Sequence, residues 1–431
     1  MKVAFHTLGC KVNQYDTQAM QEILVQAGYT PVSFQSDADV YVINTCTVTG
    51  TGDRKSLQLS RRIRREHPDS LLVLCGCLAQ KKGAALLHDT GAHLVLGTQY
   101  RAQIAELLDK VRHSKIPLCA VSPLEPDMPF EALNITSVSG HTRATVKIQE
   151  GCGNHCTYCI IPSVRGPNRS RPLESLEEEV LRLRDAGFSE IVLTGIHLAS
   201  YGKDFSSSFS LLDAIRVVHK TKGIERIRLG SLEPVVATED FCKALHSLPK
   251  VCPQFHLALQ SGSDTVLARM KRRYNSSQYL TAVDRIRKFF PHAALTTDIL
   301  TGFPGETDKE YEETREMIQK VGFSRIHVFP YSPREDTPAA LLSGQLSPAL
   351  KEQRCRELIA LGNHVTRLYL SSWVNHESML LAEEKINGCW EGYTPEYIRI
   401  TLPADFSCKS GQILPVRLTG FTSKGMRGVP L

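Results

Sequence analysis

Ten short apolar runs, most of them followed by a stretch with helical spacing, confine this chain to an architecture of alternating strands and helices. Four of the runs (VAFHTL, DVYVIN, LLVLCG and HLVLG) lie between Lys2 and about Arg112 and predict a parallel sheet with helices on its faces. The stretch from Ile116 to Gly140 carries four prolines and little periodicity, which marks a linker. A second alternation begins at Ala144 with ATVKIQ, EIVLTG, RIRLGS, FHLALQ, ALTTDIL and IHVFPY, and six βα units in succession predict a barrel or partial barrel. A long helix is expected from about Ser347 to Ser371. After it, SMLLAEEK, EYIRITLP and GQILPVRLTGF read as a small antiparallel β-barrel. The expected fold class is therefore α/β. Its parts are an N-terminal unit at 1–113, a linker at 114–137, a central partial (β/α)6 barrel at 138–370 and a β-domain at 371–431.

A chain of 431 residues is too long for one ordinary core, which agrees with several domains. No run approaches the roughly 18 apolar residues that would span a bilayer. The opening MKVAFHTLGCKVNQ places polar residues where a secretory apolar core would sit, so a cytoplasmic protein is expected. Thirteen cysteines, an odd number, suit metal sites better than a disulfide framework. The net charge of +6 permits an acidic partner without demanding one.

Residues 152–159 read Cys-Gly-Asn-His-Cys-Thr-Tyr-Cys. Three thiolates at this spacing can hold a four-iron, four-sulfur cluster by three corners and leave the fourth iron open, whereas ferredoxins close all four. The alternative is a zinc knuckle, but zinc takes four closed ligands, usually in CxxC pairs, and no second pair lies nearby. The pattern resembles the signature of the radical S-adenosylmethionine (SAM) enzymes. That resemblance implies SAM bound at the open iron and cleaved to a 5′-deoxyadenosyl radical.

Cys10, Cys46 and Cys77 end the strands of TLGC, INTC and LCGC. In a parallel sheet the carboxyl ends of the strands share one edge, so three such thiols can converge on a second cluster. They could instead be small buried hydrophobes, as free cysteines often are. Cys75 competes with Cys77 for the third place. It belongs to the apolar run LLVLC and is expected to face the core, whereas Cys77 follows Gly76 in the turn. Cys119, Cys242, Cys252, Cys355, Cys389 and Cys408 lack partners at ligand spacing.

Together, Leu8-Gly9-Cys10-Lys11-Val12-Asn13, Asn44-Thr45-Cys46, Gly76-Cys77-Leu78-Ala79-Gln80, GCGNHCTYCIIP and the β-rich tail resemble the methylthiotransferases over essentially the whole chain. The wording TLGCKVNQYDT is similar to the branch that acts on N6-threonylcarbamoyladenosine in tRNA. The isopentenyladenosine branch tends toward YGCQMN, and the branch that modifies a ribosomal protein toward LGCPKN. Ser163 and Asn168 depart from the family, which often has tyrosine and an acidic residue there. The resemblance implies two 4Fe-4S clusters, one on Cys152, Cys156 and Cys159 for radical generation and one on Cys10, Cys46 and Cys77 for sulfur delivery. It also implies two SAM molecules and a methylthio group placed on C2 of the adenine next to the anticodon. An unactivated aromatic C–H offers no acidic proton or leaving group, so a radical route is chemically reasonable.

The resemblance further suggests SAM contacts. Tyr158 is similar to an aromatic that packs beside the adenine of SAM, although a buried structural tyrosine reads the same way. Thr194 and Gly195 end a strand where the family has a glycine-containing segment, or an ordinary turn. Ser231, Glu233, Gln260, Ser261 and Asp298 stand at later strand ends, where barrels collect functional residues but solvated loops also select such types. The tail resembles the RNA-binding TRAM domain. Trp390, Tyr393, Tyr397, Arg399, Arg417, Lys424 and Arg427 there offer stacking and phosphate contacts. Lys55, Arg61, Arg62, Arg64, Arg65, Lys271, Arg272 and Arg273 form two further basic clusters. Expected partners are tRNA and an electron donor such as flavodoxin or ferredoxin, with no membrane contact and a monomeric state. A non-catalytic iron-sulfur RNA-binding protein is the reading from another class; it leaves the open corners unexplained.

Overall fold

A computed structural model describes residues 1–136 and 142–431. The expected boundary between 137 and 138 lies outside the described residues.

The N-terminal runs form strands β1 (Lys2–Thr7), β2 (Thr30–Val32), β3 (Val40–Thr45), β4 (Leu71–Gly76), β5 (Leu94–Leu96) and β6 (Leu118–Ala120). They make one parallel sheet in the order β2-β1-β3-β4-β5-β6. β3 is buried along its whole length, as a strand covered on both faces must be. Three-residue strands β2 and β6 are too short to show a pattern in the sequence.

The helix Lys11–Gln26 has two apolar faces that serve two cores. Met20 and Leu24 pack on the N-terminal sheet, while Tyr15 and Ala19 belong to the core of the central domain. Full burial of Met20 and Leu24 contributes about 2 kcal/mol each. One helix thus serves as the seam between two domains.

All six expected central strands are present. β7 (Arg143–Glu150), β8 (Arg169–Ser170), β9 (Glu190–Gly195) and β10 (Arg226–Leu229) lie in the order β10-β9-β7-β8, with β8 antiparallel. β11 (Ser231–Leu232), β12 (Gln254–Leu257), β13 (Ala294–Thr301) and β14 (Arg325–Pro330) follow in sequence order, all parallel. A parallel bridge from Ile227 to Val251 joins the two sheets, and one apolar core runs beneath both. The wall is a partial barrel.

After the helix Pro348–Ser371, capped by Ser347, the tail closes into a five-stranded barrel. Its strands are β15 (Glu377–Ile386), β16 (Cys389–Tyr393), β17 (Arg399–Thr401), β18 (Ile413–Phe421) and β19 (Met426–Pro430). Four of its pairs are antiparallel, and β17 pairs with β19 in parallel. Parity dictates this, because strands that alternate in direction cannot close a ring of five without one parallel pair.

Candidate active site

The loop after β7 carries Cys152, Cys156 and Cys159. It starts at Gly151, whose φ is +72° and where an added Cβ would lie 1.8 Å from the Pro167 carbonyl, so only glycine fits. The loop is pinned from below by the Thr157 amide on Met270 O (3.1 Å) and the Thr157 hydroxyl on Arg269 O (2.9 Å). The three cysteines line one cavity of about 140 Å³ with Tyr158, Ser231, Glu233 and Gln260. Arg272 donates from Nη1 to Cys156 Sγ at 3.1 Å, and the Asn154 amide donates to Cys152 Sγ at 3.4 Å. Both contacts stabilise a thiolate.

Glu233 accepts from Asn154 Nδ2 (2.9 Å), His197 Nε2 (2.9 Å) and Arg272 Nη2 (3.0 Å). Burial opposes its charge, but His197, Arg272 and Asn154 outweigh it and hold the carboxyl below its ordinary range. Burial raises the free thiols of Cys152 and Cys159, the latter to about 12. Iron overrides such values, because a coordinated thiol is deprotonated outright.

Four of the eight expected SAM contacts do not reach this cavity. Thr194 is buried in its strand, and Gly195 is there because a Cβ would lie 2.8 Å from that of Gln149. Ser261 turns away to Thr314 Oγ1 (3.3 Å) and the Ser263 amide (3.2 Å). Asp298 faces His256 Nε2 at 3.4 Å. A strand-end position specifies the edge of a barrel but not the direction of a side chain. Asn154, His197 and Arg272 are the polar groups that the sequence reading missed here. Arg272, expected to meet phosphate, is instead committed to Cys156 and Glu233 inside the protein.

Cys10, Cys46 and Cys77 do converge. A Cβ on Gly9, which has φ +104°, would lie 3.1 Å from Cys46 Sγ, and one on Gly76, with φ +90°, would lie 2.3 Å from Asn44 Oδ1. Asn13 ties the loops by donating to Leu8 O (2.7 Å) and Thr45 O (3.0 Å), and its own carbonyl takes Asn44 Nδ2 (2.9 Å). Cys10 stands at the N-cap of the helix Lys11–Gln26. Cys75 lies in the core with its thiol toward Ile43 O (3.7 Å), as its apolar run required. Burial pushes the Cys77 thiol up to about 11, against the pull of Arg165.

Arg165 is the second group missed. Wholly buried, it donates from Nε to Cys77 Sγ (3.2 Å), from Nη1 to Glu150 (2.7 Å) and Asp16 (3.1 Å), and from Nη2 to Asn13 Oδ1. Lys147 bonds Asp16 (2.6 Å) and Glu150 (2.8 Å), and Arg101 bonds Asp16 and Glu131. Cations and carboxylates from both domains therefore share one dry network. The short helix Ile161–Arg165 separates the two cysteine groups: Ile161 lines the Cys152 cavity, while Ile160 and Val164 pack on Cys77.

Among the described residues no three His, Cys, Asp or Glu side chains converge on a single metal-ion position, as a mononuclear zinc site would require. A cubane is held differently, each thiolate on its own iron: Cys152, Cys156 and Cys159 line one space beside Arg272, and Cys10, Cys46 and Cys77 lie close enough to act on one another's charge with Arg165 on Cys77, which fits that demand. A cavity of about 630 Å³ is lined by none of the cysteines. It lies between β14, the helix Pro348–Ser371 and the tail barrel, and Arg325, Arg367, Arg399, Lys424, Tyr393 and Tyr397 line it. Of the other expected RNA residues, Trp390 packs on the barrel core, Arg64 bonds Pro68 O and Ser70 O, and Arg417 pairs with Glu377.

The partial barrel with a three-cysteine loop at its mouth defines a radical SAM enzyme, and the radical SAM superfamily model matches residues 146–318. A second family model, described as uncharacterized protein family UPF0004, matches residues 2–97. The chain is 41% identical over 408 residues to the threonylcarbamoyladenosine tRNA methylthiotransferase MtaB of Bacillus subtilis, covering 92% of this chain and 89% of that one. It is 35% identical to the protein of the same name from Thermotoga maritima (98% and 96% covered). It is 36% identical to the tRNA-2-methylthio-N(6)-dimethylallyladenosine synthase of Symbiobacterium thermophilum (97% and 92%). The chain belongs to the methylthiotransferase family of radical SAM enzymes, whose cofactors are 4Fe-4S clusters and SAM. Among solved structures, the radical SAM methyltransferase TsrM of Kitasatospora setae has the same fold, with a TM-score of 0.59 at 15% identity over 79% of this chain and 77% of that one. No helix among the described residues is long and apolar enough to cross a membrane.

Proposed function

We propose that the chain places a methylthio group on C2 of N6-threonylcarbamoyladenosine, 3′ to the anticodon in tRNA. The observation that carries this is the pair of three-cysteine groups set on opposite sides of Ile161–Arg165, in a chain whose relatives are named for that reaction. Cys152, Cys156 and Cys159 would hold one cluster and Cys10, Cys46 and Cys77 the other; when bound, these groups would supply the radical and the sulfur.

The protein's own side chains orient and insulate. Asn154 and Arg272 hold the first thiolates, and Tyr158, Ser231 and Gln260 line the space left for SAM. Arg165 holds Cys77 and keeps its surroundings cationic. Arg325, Arg367, Arg399 and Lys424 neutralise phosphates around the large cleft. A flavodoxin or ferredoxin supplies electrons, and the enzyme works as a monomer in the cytoplasm.

The test is expression in a bacterium lacking its own enzyme, followed by mass spectrometry of digested tRNA. The 2-methylthio derivative of threonylcarbamoyladenosine is expected to appear. Its absence, or a methylthio group found only on dimethylallyladenosine, overturns the assignment.

A further inference from the structure

A cavity of about 500 Å³, distinct from the two already described as the cluster cavity and the large cleft, opens between the first turn of the helix Lys11–Gln26, the start of β7 and the tail barrel. Its size is that of a small-molecule site. Its lining is polar: Thr7, Gln14, Gln18 and Thr145 present hydroxyls and amides, while Ile135 and Val192 are the aliphatic side chains among the described residues. Lys11 is exposed to this space, and no hydrogen bond or salt bridge among the described residues takes its ammonium.

The other cations close to Lys11 are spoken for. Arg143 Nε pairs with Glu383 at 2.6 Å and its guanidinium stacks over Tyr393 and Tyr397; Arg228 Nε pairs with Glu190 at 3.0 Å. Of the acidic lining, Glu383 is taken by Arg143, and Glu384 is an exposed carboxylate at the rim. A free cation crowded by two paired ones is a place for an anion that arrives from outside.

The substrate has one to offer. On the reading above, the N6 substituent carries a threonine carboxylate, a hydroxyl and a urea, whereas a dimethylallyl group carries none of these. C2 and N6 belong to the same six-membered ring. Cys10 and Lys11 are consecutive, with Cα atoms roughly 3.8 Å apart. An adenine that directs C2 toward the Cys10 group therefore projects its N6 arm within reach of the next side chain.

We infer that Lys11 binds the carboxylate of the N6 substituent and is a specificity-determining residue, with the hydroxyls and amides around it receiving the rest of the arm. This rests on the reaction proposed above and adds the element that chooses between two adenosine side chains.

The test measures binding of an anticodon stem-loop by the cluster-loaded enzyme, using fluorescence anisotropy, with three probes: threonylcarbamoyladenosine, its carboxyl methyl ester, and dimethylallyladenosine. Wild type is expected to bind the acid about tenfold or more tighter than the ester, the range of a charge-assisted hydrogen bond. Lys11→Gln should bind acid and ester alike, and Lys11→Arg should keep most of the preference. Iron content of each variant checks that the neighbouring cluster is intact. Should Lys11→Gln fail to load iron, the acid-to-ester ratio of wild type together with Lys11→Arg decides. An unchanged ratio in an iron-replete Lys11→Gln, or no acid preference in wild type, overturns the role of Lys11. In that case the tRNA digest can still show the threonylcarbamoyl product, whereas a missing product in wild type overturns the reaction itself.

Discussion

The two cysteine groups reach the same donor set by opposite routes. Cys152, Cys156 and Cys159 come from one loop of eight residues, held by Gly151 and by Thr157, beside a cavity. Cys10, Cys46 and Cys77 come from three strand ends and meet only because β1, β3 and β4 are neighbours in one sheet. The first group is a property of a peptide; the second is a property of a folded domain. Their cations differ accordingly, since Arg272 pairs with a single carboxylate at the cavity wall while Arg165 belongs to a buried lattice of charges. A local motif tolerates rearrangement of its surroundings, and a dispersed one does not.

The sharpest way to break this comparison is to remove one cysteine from each group. Cys156→Ala and Cys46→Ala should both abolish methylthio product. Only Cys156→Ala should also abolish 5′-deoxyadenosine formation, read by liquid chromatography; loss of SAM cleavage in both would mean the groups are not separate.

The next effect is on stability. Arg165→Met leaves Asp16 and Glu150 in the interior with less positive charge and should cost about 3–5 kcal/mol in denaturant unfolding, against about 1–3 kcal/mol for Arg272→Met. Equal costs would deny the difference between the two settings.

Acid should show the same contrast. Burial opposes ionisation of Asp16, but Arg101, Lys147 and Arg165 hold its carboxyl below the ordinary range. A depressed carboxylate stabilises the fold above its unfolded pKa of about 3.9, and that contribution disappears as pH falls through the lower folded value. Asp16→Asn, already less stable at neutral pH, should therefore lose less stability than wild type as pH falls below about 4. A parallel loss in both proteins would count against the buried pairing.

The smallest effect separates two neighbours. Cys77→Ala should halve the iron of reconstituted protein, whereas Cys75→Ala should leave it unchanged and cost about 1 kcal/mol of packing. Equal iron loss would reassign the third ligand.

Sequence reading served these regions unequally. Periodicity named every long strand of the sheet and barrel, and the apolar run around Cys75 against the glycine before Cys77 separated core from loop. Arg165, Asn154 and His197 carry no such signal, because contacts between residues far apart in the chain leave no spacing in it. Thr194, Gly195, Ser261 and Asp298 stand at strand ends, as expected, but are not among the residues that line the Cys152 cavity. After Gln260, whose φ is +66°, the backbone turns and sends Ser261 inward. Strands β16 and β19 of the tail were missed because each is only five residues long and one of the five is a glycine.

The network around Arg165 bears on how such a protein can be inherited. Asp16 and Arg101 come from the segment matched by one family model or just beyond it, while Lys147, Glu150 and Arg165 come from the segment matched by the other. A gene that exchanged its N-terminal part for that of an unrelated enzyme would bury cations against the wrong partners. The two parts are thus expected to travel together through recombination, as a single unit of descent despite their separate folds.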